Sequence, residues 1–231
     1  MADKTALIVG ASRGIGLGLV KELADRGWRV IATLRSPTSD KGLTAFAEQS
    51  GGKVRLETVD LEHPDQIEAL SKRLSGETLD LLFVNAGIAG HTGKAGGQTR
   101  DDVARIFVTN SVAPIHLAEA LAGQVRDKTG VIAFMTSGLG SVASDFRFGT
   151  SLYPASKAAL NKLTRVFTQD LGDRGLTVLS VSPGWVRTDM GGPDAMISVE
   201  ESAKGVIDLV EAKAGTGQHG FYGHTGETIP W

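Results

Sequence analysis

The stretch Thr5–Gly16, TALIVGASRGIG, decides the fold. An apolar run, Thr5–Val9, ends at Gly10, and the glycine-rich turn that follows leads into a helical pattern of apolar residues through Ala24. A short apolar strand, a glycine turn and an amphipathic helix in this order form the first half of a βαβ unit.

The turn itself predicts a phosphate site. Backbone N–H groups at a helix N-terminus attract anions, and glycines let a pyrophosphate approach without meeting a side chain. The spacing here is G-x-x-x-G-x-G and not the commoner G-x-G-x-x-G. In this strand–turn–helix context we favour dinucleotide binding over a tight turn without a ligand, and the candidate contacts are Gly10, Ser12, Arg13, Gly14, Ile15 and Gly16.

The strand and helix alternation continues along the chain. Further strands are predicted at Arg29–Leu34, Val54–Val59, Leu79–Val84, Val131–Met135 and Thr177–Val181. Helices are predicted at Pro64–Leu74, Arg100–Val125 and Ser151–Leu171. This pattern indicates an α/β fold with a Rossmann-type, doubly wound parallel sheet and helices on both faces. We expect a single domain over residues 1–231, with Asp189–Ser198 as an irregular flap over a ligand site.

Composition excludes several classes of protein. The net charge of −2 gives no electrostatic footprint for nucleic acid. The chain has no cysteine, so disulfides, thiolate catalysis and Cys-based zinc sites are excluded, and its five histidines are too dispersed to predict a metal site. The first apolar run is too short for a signal peptide or a membrane span, so we expect a cytoplasmic protein without membrane contact.

The end of the second predicted strand bears on the choice of cofactor. An NAD site places an acidic residue here for the ribose 2′-hydroxyl, whereas an arginine suits the 2′-phosphate of NADP. The sequence reads Ala32–Ser36, ATLRS, without a carboxylate. Arg35 and Arg13 could both face the extra phosphate, or both could be solvated surface residues. NADP(H) is therefore preferred, and NAD(H) stays possible.

Tyr153 and Lys157 stand four residues apart in a predicted helix, so their side chains share one face. A tyrosine with its ordinary pKa of about 10 is a poor acid–base catalyst at neutral pH. A nearby ammonium group favours the phenolate and lowers that pKa. A hydroxyl such as that of Ser137 could hold a substrate oxygen beside the phenol. These residues predict proton transfer to or from a substrate oxygen, although an ordinary aromatic–lysine pair has the same spacing.

The whole chain resembles the short-chain dehydrogenase/reductase family. Its motifs occur in that family's order: GASRGIG at Gly10–Gly16, VDL at Val59–Leu61, NAG at Asn85–Gly87, Asn110, TS at Thr136–Ser137, YPASK at Tyr153–Lys157 and PGWVRTDM at Pro183–Met190. The resemblance implies a sheet of about seven strands and a homodimer or homotetramer. PGWVRTDMGG and the ending Gly226–Trp231 are most similar to the C-factor-like and sniffer-like carbonyl reductases, a branch that also contains proteins studied as signals.

The resemblance implies a role for each matching residue. Tyr153 would be the general acid in reduction or the base in oxidation, Lys157 would lower its pKa and bind the nicotinamide ribose, and Ser137 would bond the substrate oxygen. Asn110 would hold a water of the proton relay through its backbone. Cofactor contacts are implied for Asp60 and Leu61 beside the adenine, Asn85, Ala86 and Gly87 beside its ribose, and Pro183, Gly184, Val186 and Thr188 along the nicotinamide.

One departure from the family concerns the serine. Ser137 and Tyr153 are 16 positions apart, a few more than usual, and the extra residues fall within Ser144–Thr150. Ser141 is the alternative source of the hydroxyl if the insertion displaces Ser137. Trp185, Met190, Phe146 and Phe148 could line an apolar substrate pocket or serve packing alone.

The leading functional hypothesis is hydride transfer between NADP(H) and a small or medium-sized carbonyl/alcohol pair. The alternatives are an NAD-dependent secondary-alcohol dehydrogenase and a dinucleotide sensor or signalling protein with little turnover. An intact Tyr153/Lys157/Ser137/Asn110 set argues against a pure sensor, which has no need of a proton donor.

Overall fold

The structure is a computed structural model that describes residues 4–36, 40, 42–144 and 152–231. Within these residues seven strands form one parallel sheet in the order β3-β2-β1-β4-β5-β6-β7. The strands are β1 (Thr5–Val9), β2 (Arg29–Leu34), β3 (Val54–Thr58), β4 (Leu81–Val84), β5 (Val131–Met135), β6 (Thr177–Ser182) and β7 (His219–Gly223). The doubly wound parallel sheet expected from the sequence is confirmed.

The helices are α1 (Gly14–Asp25), α2 (Leu43–Gln49), α3 (Pro64–Arg73), α4 (Arg100–Phe107), α5 (Ala113–Leu121), α6 (Leu152–Asp170) and α7 (Val199–Lys213). Strand side chains alternate between two apolar layers, as Ala6 and Ile8 of β1 show on one face and Leu7 and Val9 on the other. The first layer packs under α1 and α7, and the second under α3, α5 and α6. Both faces of the sheet are therefore covered, which is the reason its central strands β1, β4 and β5 are apolar and buried throughout.

The helix predicted over Arg100–Val125 is present as one helical run, but it is not α-helical throughout. The chain forms α4, then a π-helical turn at Val108–Val112, then α5, and a 3₁₀ turn at Ala122–Gln124. Pro114 lies at the start of α5 and has no N–H to donate to the preceding turn. The change of hydrogen-bond pattern thus falls directly before a residue that cannot donate.

Three elements were not predicted from the sequence: the helices α2 and α7 and the strand β7. The strand β7 pairs in parallel with β6 at the edge of the sheet. α7 carries a strong local signal, because Ser198 and Glu201 form a reciprocal capping box at its first turn. None of the helices within the described ranges is long and apolar enough to cross a membrane.

Candidate active site

The carboxyl ends of the central strands open on one cleft of about 1530 Å³. The sheet order reverses between β1 and β4, which is where ligands bind in open parallel sheets. The sequence-predicted residues that line the cleft are Gly10, Ser12, Arg13, Gly14, Ile15, Arg35, Asp60, Leu61, Asn85, Ala86, Gly87, Ser137, Tyr153, Lys157, Pro183, Gly184, Val186 and Thr188. Gly16 and Asn110 are not among the lining residues and lie behind the wall.

The glycine turn is held by its neighbours. Gly10 has a φ of 83°, and its N–H donates to Thr33 Oγ1 at 3.1 Å. Asn85 Nδ2 donates to Gly10 O at 2.7 Å. A Cβ at Gly16 would lie 2.1 Å from Gly10 O, so only glycine allows this close crossing. Thr33, which the sequence analysis did not single out, therefore fixes the turn from the end of β2.

The turn presents the start of α1 to the cleft. Arg13 is the N-cap residue and has no side-chain acceptor for the first helical N–H groups, so these stay available to a ligand. A Cβ at Gly14 would point towards Thr188, whose Cγ2 is 3.4 Å away, across the phosphate end of the cleft. Thr188 therefore lies in van der Waals distance of the side-chain position at residue 14, beside the helix N-terminus.

The end of the cleft near β2, where the sequence predicts that the cofactor is selected, carries both positively and negatively charged side chains. Arg35 is exposed at the end of β2, and Arg13 Nη1 is 2.8 Å from Asp189 Oδ2 of the flap. A carboxylate that the sequence analysis missed, Asp40, also lines the cleft. It accepts from the backbone N–H groups of Leu43 at 2.7 Å and Thr44 at 3.1 Å, and hydrogen bonding by Thr44 lowers its pKa. Asp40 is therefore engaged by the start of α2.

The adenine side is built from two loops. Asp60 N donates to Gln66 Oε1 at 2.9 Å, and Asp60 Oδ1 accepts from Glu62 N at 3.0 Å, which fixes the loop after β3. Leu61 is buried behind it. The N–H groups of Asn85 and Ala86 both donate to Val9 O at 3.0 Å, so the loop after β4 stays close to the glycine turn.

Tyr153 and Lys157 lie one turn apart near the start of α6 and face the cleft together. Lys157 Nζ is 5.8 Å from the centroid of the Tyr153 ring and donates to Met135 O at 2.9 Å. Burial raises the pKa of Tyr153 to about 12, and a hydrogen bond with Ser137 opposes that rise. Burial lowers the pKa of Lys157 to about 8. The lowered tyrosine pKa expected beside the lysine is therefore wrong for this structure, where burial dominates and Ser137 alone opposes it.

The structure distinguishes the two candidate serines. Ser137 lines the cleft, bonds the Tyr153 hydroxyl and accepts from Leu139 N at 3.2 Å. Ser141 is buried and does not line the cleft, and its Oγ donates to Pro230 O at 2.7 Å. Apart from Ser144, the insertion to which the wider spacing was attributed lies outside the described residues, as do Phe146 and Phe148.

The side chain of Asn110 forms hydrogen bonds with other groups of the protein. Its Oδ1 accepts from Ile88 N at 2.8 Å, and its Nδ2 donates to Ile88 O at 2.8 Å and to Ser156 Oγ at 3.0 Å. Asn110 is completely buried. It joins the π-helical turn to the loop after β4 and to α6, directly behind Lys157.

The loop after β6 forms the opposite wall. Gly184 has a φ of 82°, and Pro183 O accepts from Ser202 Oγ of α7 at 2.8 Å. Thr188 Oγ1 accepts from Gly191 N at 3.1 Å, and Trp185 Nε1 donates to Gly191 O at 2.8 Å. The flap is therefore internally bonded, with Trp185 and Met190 lining the cleft as anticipated.

The last residues of the chain form a wall that sequence reasoning missed. Ile229 and Pro230 line the cleft together with Glu227 and Thr228. Ile229 N donates to Phe221 O at 2.8 Å, and Trp231 O accepts from Val142 N at 2.8 Å. The second contact links residues that are far apart in sequence, so no local pattern could have revealed it. Ile229 and Pro230 line the same cleft as Ser137.

A dinucleotide fits this arrangement. The glycine turn supplies an anion cradle, the loops after β3 and β4 supply an adenosine surface, and Tyr153 and Lys157 lie at the other end of the same elongated space.

Comparisons with known proteins agree with this geometry. A family model described as short chain dehydrogenase matches residues 4–195. A carbonyl reductase from Pseudomonas aeruginosa PAO1, solved in complex with NADP, is 41% identical with a TM-score of 0.92, covering 100% of both chains. The carbonyl reductase Sniffer of D. melanogaster is 29% identical with a TM-score of 0.89, covering 99% of this chain and 100% of that one.

A further relative is the C-signal of Myxococcus xanthus, which is 34% identical over 154 residues, covering 66% of this chain and 93% of that protein. The resemblance to the C-factor-like and sniffer-like branch is thereby confirmed. The chain belongs to the short chain dehydrogenase family and is an oxidoreductase of that family.

Proposed function

We propose that the protein is an NADPH-dependent reductase of aldehydes or ketones, in which Tyr153 is the general acid. The observation that carries the proposal is one shared cleft: the Tyr153 hydroxyl, bonded to Ser137, opens into the same space as the glycine turn, with Lys157 buried beside it. The carbonyl reductases among the relatives support the same reaction.

The protonation state of Tyr153 suits the reduction of a carbonyl. With a pKa of about 12, Tyr153 holds its proton at neutral pH and can give it to a carbonyl oxygen that becomes an alkoxide. Bound NADPH would supply the hydride to the carbonyl carbon, so that hydride and proton together give the alcohol. The Ser137 hydroxyl donates to the same oxygen, orients it and stabilises its developing charge.

Lys157 supports Tyr153 from behind. Its Nζ is anchored by Met135 O at 2.9 Å, which leaves further N–H groups for the nicotinamide ribose. A pKa of about 8 lets this group both carry and release a proton near neutral pH. In the proposed mechanism Lys157 would hold the nicotinamide ribose and release a proton that restores Tyr153, and a water at the backbone of Asn110 would in turn reprotonate Lys157.

Three features support NADPH over NADH. Arg35 lies exposed at the end of β2, where the 2′-phosphate would reach, and Arg13 lines the same end of the cleft. The nearby carboxylate, Asp40, already accepts hydrogen bonds from three backbone N–H groups at the start of α2. The Pseudomonas relative was solved with NADP. From the family resemblance we also propose a homodimer or homotetramer that acts on small molecules in the cytoplasm.

The test measures loss of NADPH and of NADH with a panel of aldehydes, ketones and diketones. Tyr153→Phe should lower kcat by roughly a hundredfold or more, because it removes the proton donor. Tyr222→Phe, a change of the same type in β7 outside the cleft lining, should leave kcat unchanged. Arg35→Ala should raise the Kd of NADPH by roughly tenfold and leave that of NADH unchanged, with Arg29→Ala as its control.

The outcomes separate the hypotheses. Equal loss of activity in the two tyrosine variants would refute the role of Tyr153. A preference for NADH, with alcohol oxidation as the faster direction, would favour the NAD-dependent alcohol dehydrogenase. Tight NADPH binding without turnover of any substrate would favour the sensor.

A further inference from the structure

A single turn separates the serine of the proposed reaction from a second, buried serine. Ser137 precedes a 3₁₀ turn at Gly138–Gly140, and Ser141 follows that turn directly. The N–H of Gly140 donates to Ser137 O at 2.8 Å, which closes the turn. A Cβ at Gly140 would lie 2.8 Å from the carbonyl carbon of Lys157, so the turn also lies directly against α6. The backbone therefore fixes the position of Ser141 relative to Ser137.

The segment Glu227–Trp231, which we call the strap, is held against the sheet on one side. Ile229 N donates to Phe221 O of β7 at 2.8 Å. The ring of Trp231 packs against that of Phe221, with centroids 5.5 Å apart, and Arg165 Cζ of α6 lies 5.4 Å from the Trp231 centroid. All strap residues before Trp231 line the cleft, so the position of the strap sets the width of the cleft on that side.

The other side of the strap is bonded to the segment that begins with Ser141. Ser141 Oγ donates to Pro230 O at 2.7 Å, and Val142 N donates to Trp231 O at 2.8 Å. Among the hydrogen bonds that the structure describes between these two segments, the bond from Ser141 is the one made by a side chain. The hydroxyl of this buried residue can therefore be removed while every backbone donor stays in place.

We propose that Ser141 is a positioning residue that determines which carbonyl compounds the cleft admits. The turn fixes Ser141 relative to Ser137, which would hold the substrate oxygen, and the Ser141 hydroxyl holds the strap, against which the rest of the substrate would lie. With the strap held in this way, the cleft favours carbonyl compounds with slender substituents over branched ones. The inference rests on the proposed reductase function, because it concerns the groups attached to the reacting carbonyl.

The test compares two serines that make the same kind of bond. Ser141→Ala removes the hydroxyl that holds Pro230 O. Ser71→Ala is the matched control, because Ser71 Oγ also donates to a backbone carbonyl distant in sequence, that of Ala120, at 2.7 Å, and Ser71 does not line the cleft. Each variant loses one hydrogen bond, so an effect of lost stability alone would be similar in both.

We expect Ser141→Ala to raise kcat/KM for a branched ketone, relative to a small unbranched aldehyde, by roughly two- to tenfold, as for the loss of one hydrogen bond. The change should arise in the KM of the ketone. The kcat for the aldehyde and the Kd of NADPH should stay unchanged, because the turn still holds Ser137 against α6. Ser71→Ala should leave the ratio of the two kcat/KM values unchanged.

A double variant tests whether Ser141 acts through the strap. If it does, adding Ile229→Ala to Ser141→Ala should change the ratio by less than the product of the two single effects, because both substitutions widen the same wall. An unchanged ratio in Ser141→Ala, an equal change in Ser71→Ala, or a double variant that equals the product would each overturn the inference.

A further measurement does not depend on turnover. Hydrogen exchange followed by NMR should show the amides of Val142 and Ala143, which both donate to Trp231 O, exchanging roughly tenfold faster in Ser141→Ala, with the amides of β6 unchanged. Unchanged exchange at Val142, or equal acceleration throughout β6, would overturn the inference. If the wild type reduces no carbonyl, the proposed function fails, and the exchange rates still decide whether Ser141 holds the strap.

Discussion

Replacing Gly16 with alanine tests whether the crossing of α1 over the glycine turn is as tight as the structure shows. The added Cβ would lie 2.1 Å from Gly10 O and 2.6 Å from Asn85 Nδ2, so the backbone must move by roughly an ångström. Overpacking of this kind costs about 1–3 kcal/mol. Separating Asn85 Nδ2 from Gly10 O, now 2.7 Å apart, costs about 1–3 kcal/mol more.

Within a helix, alanine is more favourable than glycine by about 1 kcal/mol, which offsets part of this cost. The free energy of unfolding should therefore fall by about 1–5 kcal/mol. For a chain of this size, that corresponds to a Tm lower by about 2–20 °C. Because the turn also carries the phosphate cradle, the Kd of NADPH should rise by roughly tenfold or more.

Scanning calorimetry and fluorescence titration with NADPH measure the two effects. Gly123→Ala is the matched control, since a Cβ there meets no atom within 4 Å and its φ is not positive. The reasoning is refuted if Gly16→Ala melts within about a degree of this control and binds NADPH equally well.

Two further predictions concern the buried lysine and the substrate wall. The pKa of Lys157 falls from 10.5 to about 8 on folding, so below pH 8 the folded state bears a desolvation cost of about 3 kcal/mol, which disappears as the pH rises from 8 to 10.5. Lys157→Met should therefore raise Tm at pH 7 and lose this advantage near pH 10.5; an advantage independent of pH would contradict the argument. Ile229→Ala should raise kcat/KM for a branched ketone relative to a small aldehyde by roughly three- to tenfold, because it removes three carbons from the substrate end of the cleft. Val142→Ala, at a side chain 84% exposed, is its control, and an equal ratio in both variants would exclude the wall from substrate selection.

Much of the cofactor end of the site follows from local sequence. The glycine turn, the apolar strands around it and the Tyr153/Lys157 pair are short-range patterns, and each is found where the pattern places it. Parallel strands carry their functional residues to the same edge of a sheet, so the order of motifs along the chain was enough to bring them together.

The remaining features depend on contacts distant in sequence. β7 contains two glycines in His219–Gly223 and is a strand because it pairs with β6, not because of its own residues. The C-terminal wall is held in place by the bond of Val142 N to Trp231 O, which joins residues far apart in the chain. The bonds of Asp40 to Leu43 and of Ile229 to Phe221 are shorter in range, but they form no pattern that the sequence reveals. The π-helical turn in the long helix is the exception, because Pro114 is visible in the sequence and its missing N–H indicates where the hydrogen-bond pattern changes.

The ion pair between Arg13 and Asp189 gives cofactor binding the character of an exchange reaction. In the proposed function, a phosphate that takes Arg13 must displace a carboxylate already 2.8 Å from its guanidinium. Since one anion replaces another on the same cation, affinity should depend on salt less steeply than the number of arginine–phosphate contacts suggests. The displaced carboxylate belongs to the flap, so each arrival of NADPH would also detach the flap from the glycine turn at this point, and each departure would reattach it.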